Sequence, residues 1–362
     1  MTLNRISVIP VLACMLVLSC ASKDKDTFSE DAWKASVEDT REQDLYAPNR
    51  EDSRFFAPWM KMKGKSVLDV LGWKLFTATD YTQEEEKFLP AVLPDTAQRL
   101  AATTGDFILW IGHNSFLLRV GGQYWLTDPI FSKRALLPAR VTPPALTAAQ
   151  INALAPRVNI VISHNHYDHL DRSSMEALSG EARVFVPLGL KDYVREMHKT
   201  DVREMNWWED TDLGNGIRLV CLPAQHWSRR INQGWNKSLW ASWLLITPGL
   251  TIYFGGDSGY FKGFREIGKK YPGIDYAFMA TTAYHPRWFM HYQHMNIPEA
   301  VRGFEELGAR YFIPTQWGTF PLGSEPPGFP GLDLKRHIAA QNLDASRYKI
   351  MDIGEILTIP DK

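Results

Sequence analysis

The segment Ile160-Val-Ile-Ser-His164-Asn-His166-Tyr-Asp168-His169-Leu-Asp171 gathers three imidazoles and a carboxylate into six residues, directly behind an apolar β-branched run. If the backbone stays extended, His164 and His166 project from one side, because strand side chains repeat every two residues. Asp168 and His169, past the strand end, can turn toward a second position nearby. Imidazole and carboxylate form the donor set that suits zinc and related divalent ions. The chain holds only ten His in 362 residues, so so dense a group reads as a metal site rather than a polar loop.

Short β-branched or aromatic runs alternate with helical patches beyond residue 100, which predicts an α/β chain. Strands are expected over 107–111, 115–120, 124–127, 159–163 and 183–186, then over 217–222, 242–246, 250–254 and 277–280. Helices are expected over 173–178, capped by Asp171 or Ser173, and over 298–307, with Asn296 as cap and proline in the first turn. Two of these strands end on isolated donors. Pro223-Ala-Gln-His226-Trp227 follows 217–222, and Gly255-Gly256-Asp257 follows 250–254.

The run His164-x-His166-x-Asp168-His169 resembles the signature of the metallo-β-lactamase-fold hydrolases. Trp110-Ile-Gly-His113-Asn-Ser-Phe116 and Leu126-Thr-Asp128-Pro129-Ile-Phe131 resemble the first strands of that fold. A narrower resemblance is to the N-acylphosphatidylethanolamine-hydrolysing phospholipase D group and its bacterial relatives. It is carried by Ile162-Ser-His-Asn-His-Tyr-Asp-His-Leu-Asp171, Pro223-Ala-Gln-His-Trp227, Tyr284-His-Pro-Arg-Trp-Phe-Met290, Tyr292-Gln-His294 and Trp317-Gly-Thr-Phe320. The resemblance runs from about residue 50 to the C-terminus and implies a four-layer αββα sandwich with an N-terminal aromatic-rich extension.

It also implies a zinc held by His164, His166 and His226, a second held by Asp168 and His169, and Asp257 bridging both. Two such ions, about 3.5–4 Å apart, can share a hydroxide that stays nucleophilic near neutral pH. Asp168 and Asp257 would thereby be catalytic. Each imidazole needs its second nitrogen oriented, and Asp128, Asp171 or a backbone carbonyl can do this. The subgroup match sets Tyr284 and Arg287 near the cleft, Arg287 meeting a phosphate. Gln293 or His294 would support the leaving group or steady the site. His113 reads as a tuning or packing residue.

One position departs from the pattern. The family usually places a final His, a ligand of the second metal, just before Trp-Gly-Thr-Phe; this chain has Pro314-Thr315-Gln316-Trp317. A neutral amide oxygen is a poorer zinc ligand than imidazole and suits harder cations. Gln316 ligates weakly, leaving the second site labile or filled by another divalent ion; or His285, His291 or His294 substitutes; or the protein works with one metal or has lost activity.

At the N-terminus, Arg5 precedes an apolar stretch over 6–18, and Val17-Leu18-Ser19-Cys20 resembles a lipoprotein cleavage box. That stretch is short for a spanning helix, which needs about twenty residues, and fits a signal h-region. The expected organisation is a signal peptide over 1–19, a lipidated Cys20 with a polar tether over 20–54, an extension over 55–100 that packs on or caps the domain, and the hydrolase domain over 101–362. Ala21 and Ser22 lack the acidic residue of inner-membrane retention, which by analogy favours an exported lipoprotein of the outer membrane. Cys221 would then be alone in the mature chain and serve as a small buried hydrophobe.

Composition is that of a globular protein, 45% hydrophobic and 22% charged, with net charge −1. Near-neutrality offers no basic stripe for nucleic acid. The expected function is a lipid-anchored metal-dependent phosphodiesterase, cleaving a glycerophospholipid such as N-acylphosphatidylethanolamine on the phospholipase D side. The alternatives are a lactonase or other metallohydrolase of the same fold, or a non-catalytic metal-stabilised lipoprotein that binds lipid or a partner. The phospholipase group is associated with homodimers.

Overall fold

A computed structural model describes residues 28–360, apart from Ala78 and Asn232. The signal segment and Cys20 lie outside these residues.

Two sheets face each other. The first has seven strands, in the order Ile356–Thr358, Phe107–Gly112, Ser115–Val120, Gln123–Thr127, Asn159–Val161, Arg183–Pro187 and Asp201–Met205. The second has six, in the order Tyr311–Thr315, Tyr276–Ala280, Thr251–Phe254, Ser242–Ile246, Arg218–Leu222 and Asp210–Asp212. Each sheet is antiparallel at one side and parallel at the other.

Period-two alternation sorts the side chains. Ile108 and Trp110 join Phe116, Leu118 and Trp125 in the core between the sheets, with Leu219, Trp243 and Phe278 opposite. Phe107, Leu109 and Ile111, from the same strand, point the other way. They pack with Leu100, Ile151 and Met175 from the helices Thr96–Ala101, Ala148–Leu154 and Arg172–Ala177. Outside the second sheet, helices Gly263–Lys270 and Ile297–Leu307 lay Phe264 against Tyr253 and Phe304 against Phe312. The four layers are therefore helices, sheet, sheet, helices, as expected. Each large side chain buried this way contributes about 1.5–3 kcal/mol.

The expected strands form with ends shifted by a residue or two. Asp171 caps Arg172–Ala177 through Ser174 N, and Asn296 caps Ile297–Leu307 in a capping box with Glu299. Four strands of the two sheets went unread: Asp201–Met205, whose exposed side is charged, the three-residue Asp210–Asp212, Tyr311–Thr315, which contains Pro314, and Ile356–Thr358 near the C-terminus.

The tether expected through residue 54 needs correction. Helix Glu30–Glu38 places Trp33 and Val37, four residues apart, in the core, and the Trp33 indole donates to Glu299 Oε1 (2.9 Å). Phe55 is buried at the end of a short hairpin. The polar composition of this stretch belongs to the outer face of a docked element. Further on, Trp59 stacks on Phe261 (5.1 Å between centroids) and donates to Gln225 Oε1 (2.9 Å). The extension thus packs on the sandwich and braces the residue beside His226. Among the described residues no helix is long and apolar enough to cross a membrane.

Candidate metal centre

The donors sit on loops at one edge of the facing sheets. His164, His166, Asp168 and His169 follow Asn159–Val161, His226 follows Arg218–Leu222, Asp257 follows Thr251–Phe254, and Gln316 follows Tyr311–Thr315. Two groups form. One ligand atom each from His164, His166, His226 and Asp257 lies within 4.8 Å of the others, and the same holds for His113, Asp168 and His169. Asp257 touches both: Oδ1 is 3.2 Å from His169 Nε2, and Oδ2 is 3.6 Å from His226 Nε2. His166 and Asp168 are half-buried while the other ligands are buried, so the centre opens to solvent on their side.

In the first group three ring nitrogens converge. His166 Nδ1 is 2.7 Å from His164 Nε2 and 3.2 Å from His226 Nε2. Burial and the neighbouring imidazoles push His164 and His226 well below the usual histidine range, and burial takes His166 to about 4. The rings are therefore neutral at pH 7, with lone pairs facing one another, an arrangement that a divalent cation satisfies. His169 behaves oppositely. Burial opposes its charge, yet the Asp257 and Asp168 carboxylates hold its pKa well above the usual range. The buried Gln316 Oε1 has no hydrogen-bond partner, although its amide nitrogen donates to Asp257 Oδ1 and lies 3.3 Å from His169 Nε2. The side chains present fit a divalent metal in the first group, with a second position between His113, Asp168, His169 and Asp257.

Orientation comes from named partners. His169 Nδ1 donates to Asp128 Oδ2 (2.7 Å), and His226 Nδ1 donates to the Gln293 carbonyl oxygen (3.1 Å). His164 Nδ1 meets Ser163 Oγ (2.9 Å), which donates to Asp128 Oδ2 (2.6 Å) while Ser163 N donates to Oδ1 (2.7 Å). Burial pushes the Asp128 carboxyl up against these bonds. Of the two candidate orienting carboxylates, Asp128 takes that place, whereas Asp171 caps a helix and accepts from Ser132. Asp128→Asn should leave the fold intact but weaken metal binding by about 10–100-fold, because an amide cannot accept at both oxygens. Titration against a competing chelator checks this; unchanged affinity would remove Asp128 from the role.

His113, read from sequence as tuning or packing, is in the second group, with Nε2 3.0 Å from Asp168 Oδ2. A signal was available: Gly112-His113-Asn114 interrupts two mostly apolar runs, 107–111 and 116–118, and the structure turns there with positive φ at Gly112 and His113. The proposed substitutes for the missing histidine divide. His285 meets Tyr81 OH, and His291 packs on Phe28 and Trp33, both away from the donors. His294 lies beside His226 (5.4 Å between ring centroids), with Nδ1 buried and unpartnered.

The substrate contacts expected from sequence are mostly engaged elsewhere. Arg287 is bound by Glu30 (2.6 Å) and Glu299 (2.8 Å) and donates to His294 O, so its charge is met inside the protein rather than turned to a phosphate. Tyr284 OH donates to Asp333 (2.7 Å). Gln293 accepts from Lys65 Nζ (2.7 Å), and its contribution to the centre is the backbone carbonyl that orients His226. Cys221 is buried between the sheets, where burial pushes its thiol well up.

A cavity of 620 Å³ reaches His226. Phe56, Met62, Trp235 and Tyr292 line it, with Arg54, Lys61 and Lys237 set beside Glu51 and Asp52, and Lys61 pairs with Glu51 (3.1 Å). A second cavity of 490 Å³ shares Lys61, Met62 and Tyr292 with it and continues to Trp33 and Trp288.

Comparison with known proteins finds a match between residues 124–317 and a family described as a Beta-lactamase superfamily domain. Over 350 residues the chain is 31% identical to N-acyl-phosphatidylethanolamine-hydrolyzing phospholipase D 1 of Caenorhabditis elegans, covering 89% of this chain and 97% of that protein. It is 29% identical over 254 residues to a metal-dependent hydrolase of Pyrobaculum aerophilum, covering 70% and 99%. Among solved structures, a metallo hydrolase from Ignicoccus hospitalis aligns at TM-score 0.56 and 20% identity, covering 72% of this chain and all of that one, a likeness of fold.

Proposed function

The chain belongs to the β-lactamase superfamily and is a metal-dependent hydrolase, and from that premise we propose that it cleaves a glycerophospholipid such as N-acylphosphatidylethanolamine on the phospholipase D side. The observation that carries the reading is the 620 Å³ cavity, in which the apolar side chains of Phe56, Met62 and Trp235 and the cations Arg54 and Lys237 adjoin His226. Such a space matches a molecule with acyl chains next to a phosphodiester. The name of the Caenorhabditis elegans relative points to the same substrate class.

Divalent ions, zinc in this reading, supply Lewis acidity and lower the pKa of water. The chain's own groups do the rest. Asp257 ties the two donor groups together, and Asp168, held by His113, stands at the solvent opening. Burial takes His294 to about 4. Added positive charge nearby would lower it further, so His294 steadies the site as a neutral acceptor rather than protonating the leaving oxygen. Arg54 and Lys237 attract the anionic head, while Lys61 is held by Glu51. In the same proposal the N-terminus directs export and lipidation at Cys20, toward the outer membrane.

The test is metal content by elemental analysis, taken with hydrolysis of bis(p-nitrophenyl) phosphate and then of N-acylphosphatidylethanolamine, in wild type and Gln316→His. The expected result is turnover on both substrates, with the variant moving bound metal toward about two ions per chain. Wild type with one ion and no turnover under added divalent ions would favour the single-metal binding protein that Gln316 admits.

A further inference from the structure

Large apolar side chains stand exposed on three segments that are tied by hydrogen bonds or packing to the loops carrying the metal donors. Helix Val67–Phe76 carries Leu68, Leu71 and Leu75, exposed by 42%, 47% and 68%, at the i, i+3, i+7 spacing of one stripe. The loop over 131–142 carries Leu136 and Leu137, the latter 77% exposed, and the hairpin over 229–235 carries Ile231, 76% exposed. Helix and loop are fastened to the same support. Trp73 donates to Ser324 Oγ (2.7 Å), Val141 N donates to Thr319 O (2.8 Å), and Ala135 packs with Ile130 and Phe320. That support, residues 316–324, begins at Gln316, and Thr319 Oγ1 accepts from His113 N (2.9 Å). The hairpin docks on the other side, where Ile231 N donates to Tyr167 OH, next to His166 (3.2 Å).

Surface leucines at the tip of a loop and along a helix cost solvation unless something covers them. The charges beside them name the cover. Lys63 and Lys74 flank the helix stripe, and Lys133 and Arg134 flank the loop; among the described residues none of the four forms an ion pair. Asp69, the acidic residue of the helix, is used in its own capping box with Ser66. Leucine flanked by unpaired lysine is the pattern of an element lying in the headgroup region of an anionic bilayer.

We propose that this leucine-and-lysine rim, formed by helix Val67–Phe76 and the loop over 131–142 with Ile231 opposite, seats the protein on an anionic lipid surface with the metal centre facing the bilayer. The contact is made by the folded domain and does not depend on an N-terminal lipid or on which ester is cut.

Vesicle co-sedimentation tests it, using a chain that starts at residue 21 and so carries no lipid while keeping every described element. Phosphatidylcholine vesicles are compared with vesicles containing phosphatidylglycerol. Wild type is expected to sediment with the anionic vesicles and to be released by salt. Leu71→Asp with Leu75→Asp, and separately Leu136→Asp with Leu137→Asp, should each weaken partition by about tenfold or more. Melting temperature and metal content should stay at wild-type values. The loop pair, at a tip that supports no helix, keeps the test decisive if the helix pair misfolds. Wild type left in the supernatant with both compositions, or folded variants that sediment like wild type, would overturn the proposal. So would a dimer, seen by sedimentation velocity and broken by the same variants without any vesicle binding, which would assign the rim to a second copy of the chain.

Discussion

Asp257→Ala is expected to lower hydrolysis by roughly three orders of magnitude or more while leaving a folded chain. Asp257 is the described carboxylate that reaches both donor groups, 3.2 Å from His169 on one side and 3.6 Å from His226 on the other. Despite burial, His169 and the surrounding imidazoles hold its carboxyl below the usual range, so it is ionised at neutral pH. Without it the first group keeps three neutral rings and no negative charge, and the second keeps only Asp168. The backbone of the loop is held independently, by Gly255 N donating to Phe278 O (2.9 Å), which is why the fold should survive. Elemental analysis should show loss of bound metal, with melting little changed. Unimpaired turnover would show that the two groups do not act as one centre.

The second large effect lies in the backbone. A Cβ on Gly259 would meet Tyr292 O at 1.9 Å and Tyr292 C at 2.6 Å, and neither atom belongs to a side chain that can swing away. Three site-bearing loops cross here. Gly259 N donates to Gln225 O (2.9 Å), Gln225 Nε2 donates to Tyr292 O (3.2 Å), and Gln293 O orients His226 one residue further along each. Gly259→Ala must therefore push Tyr292–His294 away from Asp257. The expected cost is about 3 kcal/mol or more, a large share of the about 5–15 kcal/mol that holds a typical domain together. Metal affinity should fall with it. Gly249→Ala, where no atom lies within 4 Å, is the control and should change stability by no more than about 0.5 kcal/mol. Similar melting temperatures for the two variants would mean that the loops can separate without cost.

These two sites show different degrees of legibility. Asp257 could be read from sequence because metal chemistry restricts donors to a few residue types, and because an apolar strand ending on a carboxylate is a local pattern. His164, His166, Asp168, His169 and His226 were readable for the same reason. The unbroken apolar run of Phe107 through Ile111 fitted a strand buried on both faces, and Asn296 with Glu299 declared a helix start. Gly259 carried no such sign, since the need for glycine arises from a chain segment 33 positions away.

What sequence alone determined is the donor inventory, the period of the strands and the odd amide at Gln316. Side-chain chemistry and periodicity are local properties, so they survive without coordinates. Only the tertiary structure decided partnership. It brought His113 to Asp168 across 55 positions, gave Asp128 to His169 across 41, and met Arg287 with Glu30 across 257. It also folded residues 30–38 onto the sandwich and left Leu71, Leu75 and Leu137 uncovered. Which charges meet, and which apolar faces stay bare, depends on loop closures and sheet order that no local pattern encodes.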